Sequence, residues 1–196
     1  MTERPEDAHV EVASVHDFGF FRVERSHVRH QLYDGGLSDS HARQLVRKRD
    51  FAAVLLTDSE RQCLWLVEQF RACAWLKAPE HGWLAELVAG TIEDGETPDA
   101  AARRETLEET GVAPAQLQPL GWFFLSPGYT DERCYLFCAE IGGQSPAARA
   151  GAADEDEDIR PVALTYSEID AALADGRIVD AKTLYALALW RLNNPR

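Results

Sequence analysis

The stretch that most constrains this chain is Gly90–Val112, GTIEDGETPDAAARRETLEETGV. Its second half predicts a helix. Thr97 is an N-cap residue whose hydroxyl can take an orphan N–H, Pro98 presets φ at the first helical position, and Asp99 places a negative charge in the first turn. Ala100, Ala101 and Ala102 favour helix, and Gly111 stands where a left-handed C-cap is needed. At about 100° per residue, Glu105, Glu108 and Glu109 fall within one arc of roughly 100°. Carboxylates one turn apart repel, so this face requires a compensating charge. A hard divalent cation on oxygen ligands, Mg²⁺ or Mn²⁺, is the economical choice. A merely solvated acidic face is the competing reading, but it leaves the two end glycines and the interposed Arg104 unexplained.

Length and charge set the outer bounds. A chain of 196 residues suffices for one sizeable α/β domain, or for one domain with a small extension. The net charge of −13 argues against nucleic acid as a partner, and it means that an anionic substrate must be drawn by local arginines and metal ions. No apolar run approaches the ~18–20 residues of a membrane span. The polar start MTERPEDAHVEV lacks a secretory segment, so a cytoplasmic location is expected. Cys63, Cys73, Cys134 and Cys138 form no CxxC pair, and Cys134 and Cys138 read as small apolar fillers on one face of a strand.

In chain order, alternation over residues 8–33 predicts strands, with Phe21, Val23, Arg25 and His27 on one side. Asp34-Gly35-Gly36 signals a turn closing a hairpin onto the following segment. Residues 1–49 thus read as a small β region and 50–196 as the main domain. Arg43, Arg47, Lys48 and Arg49 form the one basic cluster; a surface strand is the simpler reading and phosphate contact the sharper one. Phe51–Thr57 and Cys63–Val67 predict buried strands, which puts Arg71 just past a strand end, where ligand crevices of α/β sheets lie. Lys77–Gly82 reads as a loop and Trp83–Ala89 as one strand. Pro114 and Pro119 bracket a loop, and strands follow at Gly121–Leu125, Arg133–Ile141 and Ile159–Leu164. Residues 142–153 read as a mobile loop ending in the acidic run Asp154–Asp158. Ser167 is the expected cap of one helix and Asp180 of the next, whose apolar face would be Leu184, Leu187, Ala188 and Trp190. The pattern predicts a mixed α/β fold with helices on both faces of a sheet.

The spacing Gly90-x5-Glu96-x7-Arg104-Glu105-x2-Glu108-Glu109-x-Gly111-Val112 resembles the signature of the Nudix hydrolases. Every charged and glycine position is filled, and the one departure is Thr106 in place of a bulky aliphatic residue. The resemblance implies the Nudix fold, an α/β/α sandwich, here with an N-terminal β extension. It also implies hydrolysis of a phosphoric anhydride. Glu105 and Glu109 would be the principal metal ligands, Glu108 an accessory one, and the carbonyl of Ala89 would join them around two or three Mg²⁺ ions. Glu96 and Arg104 would hold the loop–helix geometry.

Other segments resemble the ADP-ribose pyrophosphatase branch of that family. Ser126-Pro127-Gly128 is similar to its proline mark, with Pro127 sixteen residues after Gly111. The resemblance gives Glu132 a contact with the terminal ribose or diphosphate and places Arg71 near the phosphates. Asp154–Ile159 resembles that branch's catalytic loop, which makes Glu155 the general base and Glu157 its neighbour, with Glu108 as a further catalytic carboxylate. The implied reaction converts ADP-ribose to AMP and ribose 5-phosphate. The segment GRIVDAKT is also similar to GDP-mannose-hydrolysing relatives, so another nucleoside diphosphate sugar is the alternative substrate. A module that senses ADP-ribose or NAD without cleaving it is the alternative from another class, and the intact carboxylates argue against it. The resemblance to both hydrolase groups implies a homodimer in which the N-terminal β region crosses to the partner and helps bind the base, with Phe20, Phe21 or Tyr33 available for stacking.

Overall fold

The structure, a computed structural model, describes residues 7–151 and 158–194. It divides into two compact units. One ends at Arg49 and takes in Phe124–Glu132; the other contains Asp50–Phe123 and the chain from Arg133 onward.

The first unit is an antiparallel sheet of β1 (Ala8–Asp17), β2 (Phe21–His30) and β3 (His41–Lys48), in that order. The edge strand β1 is exposed along its whole length. The side of β2 that is buried carries Glu24 and Ser26, opposite the face of Phe21, Val23, Arg25 and His27. A carboxylate can turn inward there because Arg22 and Arg47 both reach Glu24 at 3.1 Å.

The second unit holds a seven-stranded sheet whose main path is β10-β5-β4-β9-β8. Its strands are β4 (Phe51–Asp58), β5 (Cys63–Phe70), β6 (Trp83–Glu86), β7 (Val88–Thr91), β8 (Gln118–Phe124), β9 (Arg133–Glu140) and β10 (Arg160–Thr165). The sheet is mixed, because β4 runs parallel to β9 and antiparallel to β5 and β7. Central β4 is apolar at six consecutive positions because both of its faces are covered. Ala52, Val54 and Leu56 meet Ala101 and Ala102 of α2 (Pro98–Thr110) on one side. Ala53 and Leu55 meet Ile169 and Ala172 of α3 (Tyr166–Ala174), and Ala186 and Leu187 of α4 (Ala181–Asn193), on the other. Helices on both faces make the expected α/β/α sandwich. Among the described residues, no helix is long and apolar enough to cross a membrane.

Several local expectations need correction. The segment Trp83–Ala89 is two strands, not one: β6 pairs with β5, and after Leu87 the chain crosses to pair with β4 as β7. The Leu87 N–H, off the ladder at this step, donates to Thr183 Oγ1 at 3.0 Å. A short helix, α1 (Ala72–Lys77), occupies part of what reads as connection. Pro119 lies within β8, not in a loop; β8 ends the sheet, and an edge strand tolerates a missing donor. The cap of α3 is Thr165, two residues before Ser167. Its hydroxyl accepts the Glu168 N–H while Glu168 accepts the Thr165 N–H, and this reciprocal box fixes the start. In α4 the buried positions are Lys182, Thr183, Ala186 and Leu187, whereas Leu184 and Ala188 face outward. Two polar side chains take the inner face because they have partners there.

Thr165→Ala should lower the unfolding free energy by about 1 kcal/mol. Ser167→Ala, inside the first turn, should change it by less than about 0.5 kcal/mol. Urea unfolding of the two variants distinguishes the two caps.

Candidate active site

Helix α2 begins as its sequence dictates. Thr97 accepts the Ala100 N–H, Pro98 opens the first turn, and Gly111 closes the helix at φ 72°. Its small residues Ala101, Ala102 and Thr106 are fully or almost fully buried, which lets the helix lie close to the sheet. Thr106 is tolerated in an apolar position because its hydroxyl donates to the Ala102 carbonyl at 2.7 Å. The approach is tightest at Gly90 of β7. A Cβ built there would lie 1.9 Å from Cδ and Oε1 of Glu105. The Glu105 carboxylate therefore fills the space that any other residue would need. One turn on, Glu109 is 3% exposed and accepts the Ala89 N–H at 3.3 Å.

Arg104 organises the outer carboxylates. Its Nε and Nη2 donate to the two oxygens of Glu96, each at 3.1 Å, and Nη2 also donates to the Thr91 carbonyl at 2.9 Å. Its Nη1 donates to Glu105 at 2.7 Å and to Glu108 at 2.9 Å. Hydrogen bonding to Glu96, aided by Glu105 and Glu108, raises the Arg104 pKa despite partial burial. The same bond with Arg104 holds Glu96 below its usual range. The acidic face is thus compensated by a residue of the chain itself at Glu105 and Glu108. Among the described residues, no three His, Cys, Asp or Glu side chains converge closely enough to hold a metal ion. The donor chemistry nevertheless fits a hard divalent cation, since every side chain offered is a carboxylate and Glu109 is buried. Convergence would require Glu105 or Glu108 to turn from Arg104.

A second ion network flanks Glu109, and the local sequence reading missed most of it. Arg71, the residue before α1, grips Glu86 with two bonds: Nε to Oε1 at 2.8 Å and Nη2 to Oε2 at 3.1 Å. No partner of Nη1 stands among the described residues, and the Arg71 side chain is 43% exposed. Glu86 is 3% exposed at the end of β6 and also receives Lys182 Nζ from α4. Lys182 reaches Asp180 at 3.1 Å. Burial pushes the Glu86 pKa up, but the Arg71 hydrogen bond and the charges of Lys182 and Arg71 outweigh it, and the net shift is downward. For Arg71, burial lowers the pKa; Glu86 outweighs it, with smaller contributions from Glu109 and Asp180, and the result is raised. The sequence held a signal for these residues: Glu86 interrupts the apolar run Trp83–Ala89, and a charge inside a buried strand requires a partner.

The remaining sequence-identified residues belong to the N-terminal unit or lie outside the described residues. Pro127 and Gly128 sit in a turn where the N–H groups of Tyr129 and Thr130 donate to the Ser126 carbonyl. Glu132 is buried and accepts Lys48 Nζ at 2.7 Å, while Arg47 bonds Asp131 at 2.5 Å. Half of the basic cluster thus clamps the 131–132 pair. Glu155 and Glu157 lie outside the described residues.

Because folding lowers the Glu86 pKa, its stabilisation is complete above the unfolded carboxylate value of about 4.3 and is lost as pH falls toward the lower folded value. Wild-type stability should therefore decline below about pH 5, and Glu86→Gln should show a shallower decline. At pH 7 that variant should be less stable by about 3–5 kcal/mol, because two cations lose their counter-charge. Urea unfolding at both pH values measures each effect.

A profile described as NUDIX domain matches residues 46–187. An ADP-ribose pyrophosphatase of Escherichia coli (strain K12) is 34% identical over 176 residues, covering 90% of this chain and 84% of that protein. A GDP-mannose pyrophosphatase of Citrobacter koseri is 35% identical over 147 residues, covering 75% of this chain and 76% of that protein. A crystal structure titled ADP compounds hydrolase shares the fold at a TM-score of 0.70 and 20% identity, covering 100% of this chain and 98% of that one. With Gly90, Glu96, Arg104, Glu105, Glu108, Glu109 and Gly111 assembled on one strand, loop and helix, this chain belongs to the Nudix family.

Proposed function

We propose that this protein is a Nudix pyrophosphatase that hydrolyses ADP-ribose to AMP and ribose 5-phosphate, with Mg²⁺ as its metal. The observation that carries the reading is the arrangement around Glu109: a buried carboxylate on α2, Glu105 in the space left by Gly90, and Arg71 nearby, its Nη1 without a partner among the described residues. The E. coli relative's name, over nine-tenths of the chain, supports the substrate.

Glu105, Glu109 and the Ala89 carbonyl would hold two or three divalent ions, with Glu108 accessory; when bound, such ions neutralise the diphosphate and acidify the attacking water. Arg71 binds a phosphate oxygen through Nη1 while Glu86 fixes its orientation. Arg104 keeps Glu105 and Glu108 in place until substrate arrives. Glu155, seconded by Glu157, takes the proton of the water that attacks one phosphorus. The bridging P–O bond breaks, and each half leaves as a phosphomonoester. Glu132, with Pro127 and Gly128, borders the terminal ribose. The protein acts in the cytoplasm as a homodimer. GDP-mannose is the second reading, favoured by the Citrobacter koseri relative.

Release of phosphomonoester from ADP-ribose and from GDP-mannose, each with and without Mg²⁺, tests the proposal. Metal-dependent cleavage of ADP-ribose in preference is expected; preference for GDP-mannose retains the mechanism and changes the base pocket. Tight ADP-ribose binding without cleavage of either would overturn it in favour of a sensor. Glu109→Gln should reduce turnover by at least about 10³-fold, and wild-type turnover would remove it from the ligand set. Gly90→Ala should fold yet lose at least about tenfold in kcat/KM, because its Cβ displaces the Glu105 carboxylate.

A further inference from the structure

Lys182 is expensive where it stands. It is 7% exposed on the inner face of α4, and it occupies the first turn, where the helix dipole disfavours a positive charge. An apolar residue there would avoid both costs. What Lys182 gains is Glu86: its Nζ bonds the Oε2 that also receives Arg71 Nη2, and Asp180 at 3.1 Å holds the ammonium from the other side. The four groups form a chain, Asp180–Lys182–Glu86–Arg71, with formal charges that cancel in pairs. Without Lys182, the cluster would carry a net negative charge near Glu109, where an anionic diphosphate must bind.

We infer that Lys182 is a positioning residue: by occupying Glu86 from the core side it fixes that carboxylate and leaves the charge of Arg71, at Nη1, for the substrate's diphosphate. Thr183 reinforces the arrangement from the same turn. Its hydroxyl bonds Asp180 at 2.6 Å and receives the Leu87 N–H, so α4 is pinned to the residue next to Glu86. The inference rests on the reading of Arg71 as a phosphate ligand and extends it to the C-terminal helix.

The test is a double-mutant cycle on the Mg²⁺-loaded enzyme with ADP-ribose, with kcat and KM measured separately. Lys182→Met should lower kcat/KM roughly tenfold, chiefly through KM, because Arg71 contacts a group present in both substrate and transition state. Lys182→Arg should restore kcat/KM to within about threefold of wild type. In an Arg71→Ala background, Lys182→Met should change kcat/KM by less than about twofold, because the residue through which it acts is gone. A full tenfold loss in that background would show a general structural role and overturn the inference, as would wild-type kinetics of Lys182→Met. Unchanged kinetics of Arg71→Ala alone would instead overturn the reading of Arg71. Should Lys182→Met fail to fold, Asp180→Asn serves. It removes the charge that anchors Lys182 while keeping an oxygen for the helix cap, and its loss of kcat/KM must likewise vanish in the Arg71→Ala background.

Discussion

The close approach of α2 to β7 is the constraint on which the rest of the site depends. Ala101, Ala102 and Thr106 bring the helix down onto the sheet, and Gly90 has no side chain to hold it off. That contact turns Glu105 and Glu109 toward the strand and brings a carboxylate to the backbone of Ala89. Larger side chains on either element would separate the layers, and the acidic residues of α2 would become an ordinary solvated face.

Two arginines resolve the electrostatic problem that this packing creates. Arg104 binds four partners and spreads its charge over Glu96, Glu105, Glu108 and the Thr91 carbonyl. Arg71 commits one edge of its guanidinium to Glu86, and among the described residues its Nη1 has no partner. The division suits the anionic substrate proposed for this protein, whose net charge is −13. Its overall field repels such a molecule, so attraction has to be local and oriented. A buried ion network is weak evidence for stability, since well-packed apolar residues often serve as well. The orientation of Arg71 is a better reason for Glu86 and Lys182 to be charged.

The N-terminal unit applies the same logic to a small sheet. Glu24 faces inward between Arg22 and Arg47, and Arg47 and Lys48 reach across to Asp131 and Glu132. The basic cluster is partly spent on holding the segment after Pro127. Lys48 also lies 4.8 Å from the ring centroid of Phe20, which ties the β1–β2 turn to the same clamp.

The sequence by itself determined whatever acts within a turn or two of chain. The capped helix Pro98–Thr110, its arc of carboxylates and the doubly buried strand Phe51–Asp58 were legible because caps, φ preferences and periodicity are local. The same signals erred where a near competitor won, as when the box of Thr165 and Glu168 displaced Ser167. Only the tertiary structure decided that Trp83–Ala89 changes partners at Leu87, and that Lys182 belongs to Glu86, ninety-six residues away. An ion pair between distant segments depends on strand register and on how a helix seats against the sheet. Neither quantity is encoded near either residue, so a buried charge in the sequence announces that it has a partner without saying which.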